Sequence, residues 1–232
     1  MKVAVVAGEV GSLGVSTINN LLKEDYLVFA VTLERPYSDD LINLNISDNL
    51  HFITGMSTDT ESWAELSQTI VDICHGTGVQ AKIDLLVNLA HVSIKGKAMN
   101  SSKYDLDYAM NQTIYSALTG INESLQLLQN ASDATVVNVY PDFAENATDN
   151  LAQTNTKVSM DVLTKCLSQD LSNFGVSVTS LCYNPEYPDP IHIKDSVKQI
   201  DKNSSYNGMI INMDGFGIMR LQENQYEEVA SL

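Results

Sequence analysis

Short apolar runs rich in Val, Ile and Leu recur along this chain, and between them lie longer segments whose apolar residues return at helical spacing. The runs are Val3–Ala7, Tyr26–Thr32, His51–Thr54, Ile83–Ala90, Ala134–Tyr140, Val176–Tyr183 and Gly208–Met213. Most are nearly continuous in apolar character, the mark of strands covered on both faces of a parallel sheet. Between them, Val15–Lys23, Thr60–Cys74, Tyr104–Gln129 and Gln153–Phe174 predict helices, and Leu118, Ile121, Leu125 and Leu128 line one face of the third. Ser57-Thr58-Asp59 ahead of Glu61 predicts the N-cap region of the second helix, and Gly175 the stop of the fourth. This alternation predicts an α/β fold, doubly wound, with a seven-stranded, mostly parallel sheet and right-handed crossovers. Ligands in such a fold bind beyond the carboxyl ends of the strands. No repeat or linker interrupts the pattern, so 1–232 reads as a single domain, with a shortened segment over 185–208 and a tail over 217–232.

Composition narrows the partners. Of 232 residues, 44% are apolar and 18% charged, enough apolar material for one large core. The 13 Lys and Arg face 29 Asp and Glu, giving a net charge of −16. The cations are scattered singly, which excludes nucleic acid and an anionic membrane surface as partners. No apolar run approaches the roughly 18 residues of a membrane span, and the N-terminus turns glycine-rich at Gly8 where a signal segment would continue apolar. The chain reads as cytoplasmic. Cys74, Cys166 and Cys182 are odd in number and sit apart, as reduced core thiols do. His51, His75, His91 and His192 make no metal-ligand spacing with them, and no Gly-x-Ser-x-Gly elbow supports a nucleophilic triad.

At Ala7-Gly8-Glu9-Val10-Gly11-Ser12-Leu13-Gly14 a glycine-rich turn leaves the first strand and opens the first helix. That is the setting of a dinucleotide-binding turn in a Rossmann-like fold. Ile83-Asp84-Leu85-Leu86-Val87-Asn88-Leu89-Ala90-His91 resembles the fourth strand and Asn-Asn-Ala-Gly motif of the short-chain dehydrogenase/reductase (SDR) family. Asn111 falls at that family's catalytic Asn, Ala134–Tyr140 resembles its fifth strand, and Gln153–Phe174 resembles the helix carrying Tyr-x-x-x-Lys. Gly208–Gly215 is similar to its last strand with an Asp-Gly ending. The resemblance runs in order from residue 3 to about residue 216. It implies an NAD(P)-dependent oxidoreductase ancestry. It also implies cofactor positions at Gly8, Gly11, Ser12, Leu13, Gly14, Asn88, Ala90 and Lys157, and catalytic positions at Asn111, Tyr140, Gln153 and Lys157.

The departures fall on the chemistry. With Lys157 as the motif lysine, the tyrosine position holds Gln153, and an amide neither donates nor accepts a proton near neutral pH. The general-acid contribution, about 10²–10⁴ in rate, is then without an owner. The carbonyl-orienting serine position is Tyr140, followed by Pro141. Ser12 stands at the middle glycine of the turn, Met56 at the adenine-holding Asp, and His91 at the last glycine of the fourth-strand motif. Tyr183-Asn184-Pro185 replaces Pro-Gly-Pro, and Glu34 followed by Arg35 leaves NAD and NADP undiscriminated.

Plain structural roles stand beside these. Gly8, Gly11 and Gly14 suit a tight turn and close helix packing as well as a phosphate. Asn111 suits a backbone bond across to the fourth strand, and Lys157 a solvated place among Asp161 and Asp170. Tyr140 is either a plug or a relocated proton donor. The joint losses favour a degenerate family member, a pseudoenzyme that serves as a nucleotide- or small-ligand-binding or partner subunit. That subunit would form a homo-oligomer or pair with an active relative through the two long helices, which in this family form dimer faces. The alternative is an active NAD(P)-dependent oxidoreductase acting on a carbonyl or alcohol through Tyr140 or Tyr183, with Lys157 and Asn111 in family roles. Under either reading NAD or NADP is the implied cofactor, and the acidic field and eroded positions weigh against tight binding.

Overall fold

A computed structural model describes residues 1–8, 10–32, 47–90, 94, 96–142, 151–184, 190–213 and 219–221. Among these residues eight strands form one sheet: β1 (Lys2–Gly8), β2 (Tyr26–Thr32), β3 (Leu50–Thr54), β4 (Leu85–Leu89), β5 (Ala134–Pro141), β6 (Val176–Tyr183), β7 (Ile210–Met213) and β8 (Met219–Leu221). Their order is β3-β2-β1-β4-β5-β6-β7-β8, parallel throughout except for the antiparallel pair β7–β8. The chain builds outward from β1 in one direction and from β4 in the other, so the crevice between their carboxyl ends is the switch point where such folds hold ligands.

Among the described residues six α-helices cover the sheet: α1 (Ser12–Lys23), α2 (Thr60–Thr77), α3 (Lys103–Met110), α4 (Ser116–Gln129), α5 (Leu151–Ser172) and α6 (Pro190–Asp201). Alternate strand residues face opposite layers. Ala4, Val6, Val28 and Ala30 pack under Ile18 and Leu21 of α1 and Ile193, Val197 and Ile200 of α6. Val3, Val5, Leu27 and Phe29 pack under Trp63, Leu66 and Ile70 of α2, Ile121 and Leu128 of α4, and Leu167 and Leu171 of α5. Asp59 caps α2 by accepting from the Glu61 and Ser62 amides, and Gly175 turns the chain after α5 at φ +72°.

The seven parallel strands are those the apolar runs predict, with ends moved by one or two residues. Gly208 lies outside β7 because its φ of +76° belongs to a turn. The eighth strand is an addition: three residues carry too short a pattern to register. A second addition is α6, inside a segment that reads as a short connection; its buried Ile193, Val197 and Ile200 are separated by Lys194, Asp195, Ser196, Lys198 and Gln199. The third predicted helix is one rod, α3 to α4, with a π-helical turn over Asn111–Tyr115 in which the Ser116 amide reaches back to the Asn111 carbonyl. Cys74 and Cys182 are buried thiols, but Cys166 is exposed on the outer side of α5, against the expectation of a core thiol. Among the described residues no helix is long and apolar enough to cross a membrane.

Candidate functional site

The glycine turn separates into parts with different reasons. Gly8 has φ +116°, and a Cβ there would lie 2.1 Å from the Leu89 carbonyl oxygen, so β1 approaches β4 too closely for any side chain. Gly14 lets α1 pack, since a Cβ would meet Val10 and Leu89 side chains at 3.0 and 3.1 Å. These two glycines serve packing whatever binds. Gly11 differs: it is the N-cap of α1, and a Cβ there would meet nothing within 4 Å. No side chain caps the helix at this residue, Ser12 is exposed and Leu13 is half-buried against the core. The turn therefore presents open space and first-turn amides at the switch point, which fits a pyrophosphate.

The other side of the crevice is built by α5 lying across β5 and β6. The face of α5 toward the sheet runs Leu171, Leu167, Thr164, Asp161, Met160, Lys157 and Gln153, all buried, turning from apolar to ionic toward the carboxyl ends of the strands. Parallel register sets Tyr140 beside Cys182, and Asn88, Asn138 and Ser180 in one row two residues below. In that lower row the Asn88 amide donates to Asn138 Oδ1 at 2.9 Å. Asn138 donates to Thr164 Oγ1 at 3.3 Å, and Thr164 and Ser180 hydroxyls share a bond at 2.5 Å.

In the upper row the Tyr140 hydroxyl donates to Asp161 Oδ1 at 2.5 Å and the Lys157 ammonium to Asp161 Oδ2 at 2.9 Å. Tyr140 is 2%, Asp161 1% and Lys157 8% exposed, so one buried carboxylate holds both groups. Burial first, then the neighbouring Cys182 and the Asp161 charge, push the Tyr140 phenol well above its ordinary value. Burial also raises the Cys182 thiol, with the Asp161 charge adding to it. For Lys157 burial works against the charge, but the bond to Asp161 outweighs it and the ammonium is held above its usual range.

Tyr140, Gln153 and Lys157 line one open depression with Thr113, Pro141, Thr156 and Met160. Asn111 is not in this lining. Its side chain is exposed on the π-helical turn, so no bond across to β4 explains it, and Thr113, two residues on, faces the depression instead. Asn88 and Ala90 are buried, and the Asn88 amide is committed to Asn138 inside the sheet. Lys157 is far from the solvated residue that charged neighbours suggest. The loop after β3 is tied by a Ser57–Ser116 hydroxyl bond of 2.6 Å and by the Trp63 indole donating to the Ser57 carbonyl, and Met56 there is exposed. Glu34, Arg35, His91 and Pro185 lie outside the described residues. Among the described residues no group of His, Cys, Asp or Glu is placed to hold a metal ion.

Sheet order, glycine turn and switch-point crevice define a dinucleotide-fold protein of the doubly wound class. The family model for short chain dehydrogenase matches residues 2–187, and the chain belongs to that family. No curated protein matches. Among solved structures, the apo short chain oxidoreductase with an atypical catalytic center from Pseudomonas aeruginosa PAO1 is similar, with TM-score 0.77 and 15% identity over 92% of this chain and 96% of that one. The 3-ketoacyl-(acyl-carrier-protein) reductase of Brucella melitensis complexed with NADH is similar at TM-score 0.77 and 17% identity, covering 92% and 97%. At these identities the likeness is one of fold.

Proposed function

We propose that this protein is a family member without dehydrogenase turnover, which binds a nucleotide or small ligand at the switch-point crevice. The buried Tyr140–Asp161–Lys157 set carries the reading. The family reaction needs a phenol that passes a proton to or from the substrate oxygen and a lysine whose charge eases that transfer. Here Gln153 stands at the phenol's place, the Tyr140 proton is donated into the protein, and the Lys157 charge is answered by Asp161. Gly11, Ser12 and Leu13 would hold a pyrophosphate through backbone amides, and NAD or NADP would supply hydride chemistry if bound. The groups described around the depression hold protons rather than exchange them.

Titration of NADH and NADPH against the purified protein, followed by fluorescence transfer and melting temperature, tests this together with a panel of carbonyl substrates. The expected result is no turnover above background, whether or not either nucleotide binds. Hydride transfer to any carbonyl that is abolished by Tyr140→Phe would overturn it and install the alternative, an active NAD(P)-dependent oxidoreductase. That alternative is favoured by one observation, that the Tyr140 ring and Lys157 line the same depression. A partner role is supported by exposed Tyr104, Tyr108 and Tyr115 along α3–α4 and Val158 and Val162 on α5, the helices that form dimer faces in this family. A lone monomer at micromolar concentration in sedimentation would count against that version.

A further inference from the structure

We infer that Asn207 is a site of covalent modification by water, deamidation, and that the fold holds the reaction off through the bonds that tie the approach to β7 onto β6. Asn207-Gly208 is the only Asn-Gly pair in the chain. Such a pair is chemically weak, because glycine puts no side chain around its nitrogen. The Gly208 nitrogen loses its proton to solvent and attacks Asn207 Cγ. The new C–N bond closes a five-membered imide, the Cγ–Nδ2 bond breaks, and Nδ2 takes up a proton and leaves as ammonia. Water then opens the imide at either carbonyl, leaving aspartate or a β-linked isoaspartate at this position. Water is the one co-reactant, and nothing here depends on what the crevice binds.

In the folded chain the reacting groups are engaged elsewhere. Val178 of β6 gives its amide to Asn207 Oδ1 at 2.8 Å and accepts the Gly208 amide at its carbonyl, also at 2.8 Å. The nitrogen that has to lose its proton therefore keeps it in a hydrogen bond. Asn207 Nδ2 donates to the Ser168 carbonyl of α5 at 3.3 Å. Backbone torsion completes the block. The imide needs Asn207 Cβ and the Gly208 nitrogen eclipsed about the Cα–C bond, whereas a ψ of 127° sets them more than a right angle apart. Rotation there is resisted on both sides. Gly208 has φ +76° and packs so close to α5 that a Cβ would meet Ser168 Oγ at 2.8 Å, and the Tyr206 carbonyl accepts from Thr179 Oγ1 at 2.8 Å. The amide is used at both ends, so the products do not fit its place. A carboxylate still accepts from Val178, but its second oxygen faces the Ser168 carbonyl, acceptor against acceptor. Isoaspartate adds a carbon to the backbone just before β7, the strand that sets Asn212 beside Cys182.

The test compares one protein in two states. Wild-type chain is incubated at mildly alkaline pH, folded or in guanidinium, then digested, and the mass gain at each asparagine is followed by mass spectrometry. A synthetic peptide of residues 204–213 in both solvents corrects for the denaturant. In guanidinium Asn207 is expected to convert ahead of every other asparagine, at the rate of the peptide. In the folded protein its conversion should be slowed at least about tenfold, because the segment has to open first. Asn207→Asp installs one product directly and should unfold at a lower guanidinium concentration than wild type. Should that variant fail to fold, the conversion rates of the wild-type chain still decide the matter. Conversion of Asn207 as fast in the folded protein as in guanidinium overturns the inference. So does another asparagine converting first in guanidinium, or a folded Asn207→Asp protein as stable as wild type.

Discussion

Replacing Tyr140 by Phe tests where the tyrosine proton is. The ring of Tyr140 packs with Ala90, Ile114, Ala117, Met160, Cys182 and Ile210, and phenylalanine preserves all of that contact. What is lost is the hydroxyl's hydrogen bond to Asp161, a carboxylate 1% exposed, at a donor–acceptor distance of 2.5 Å, together with its contact with the Cys182 thiol. A hydrogen bond to a charged group contributes about 1.5–3 kcal/mol, and its removal leaves part of a buried charge unsatisfied. The cost should therefore fall at about 2–3 kcal/mol, which for a domain of this size lowers the melting temperature by roughly 4–12 °C. Urea unfolding of both proteins followed by circular dichroism gives the number directly, with the slope expected to stay constant. The same substitution in an Asp161→Asn background should cost much less, because the acceptor's charge is gone, and the difference is the coupling energy of the pair. A Tyr140→Phe cost below about 0.5 kcal/mol, the range of an ordinary surface change, would refute the reasoning. It would place the hydroxyl in the crevice, where a proton donor belongs, and the non-catalytic reading would lose its main support.

Two further outcomes follow from the same contacts. Gly8→Ala should cost about 3 kcal/mol or more, since it combines φ +116° with a Cβ 2.1 Å from the Leu89 carbonyl, whereas Gly11→Ala, in open space, should cost about 1 kcal/mol or less; similar losses in thermal unfolding would refute the division between packing and open glycines. Tyr26 and Tyr140 both hold their protons more tightly folded than unfolded, through burial first, then through Asp201 for Tyr26 and through Cys182 and Asp161 for Tyr140. Stability is thus full below the unfolded phenol value near 10 and falls as pH rises past it, by up to about 1.4 kcal/mol per pH unit for each phenol. Denaturant unfolding between neutral and alkaline pH should show this limb, made shallower by Tyr140→Phe by up to about 1.4 kcal/mol per pH unit; a flat profile to about one unit above that value would refute it.

The sheet was legible because seven strands are buried on both faces and so read as apolar runs without alternation. The glycine turn was legible because its spacing is local, and Lys157 because it sits in a helix of the right length after the fifth strand. What escaped depends on contacts between distant segments. Asp161 reads as a solvated charge until α5 is laid on β5 and β6, although its phase was available: Gln153, Lys157, Asp161 and Thr164 share the face that Leu167 and Leu171 bury. Cys182 enters only through the β5–β6 register, and Thr113 in place of Asn111 only through the π-helical turn, which rotates the following residues relative to a regular helix. The α6 helix escaped for a different reason. Its stripe of Ile193, Val197 and Ile200 is narrow, and its far end is fastened by Asp201, which accepts from the Tyr26 hydroxyl at 2.5 Å and Lys2 at 3.1 Å, partners at the starts of β2 and β1.

The gradient along α5 bears on whether the crevice still has work to do. A scaffold that only needed its sheet covered would continue Leu171 and Leu167 upward with more apolar residues, as α4 does with Ile121 and Leu128. Instead the sheet face of α5 becomes Thr164, then Asp161 and Lys157, facing Asn138, Ser180, Tyr140 and Cys182. Burying an ion pair costs desolvation that its own attraction roughly repays, so replacement by packed apolar residues is often neutral or stabilising. Stability alone therefore does not account for the polar tiers. Their position does: they occur at the carboxyl ends of the central strands, beside the depression, and give way to hydrocarbon farther down. A family member whose fold had passed to a purely structural role would have no use for that distribution. Polar groups satisfied from within, yet placed at the ligand edge, fit a site that recognises a molecule and leaves its protons where they are.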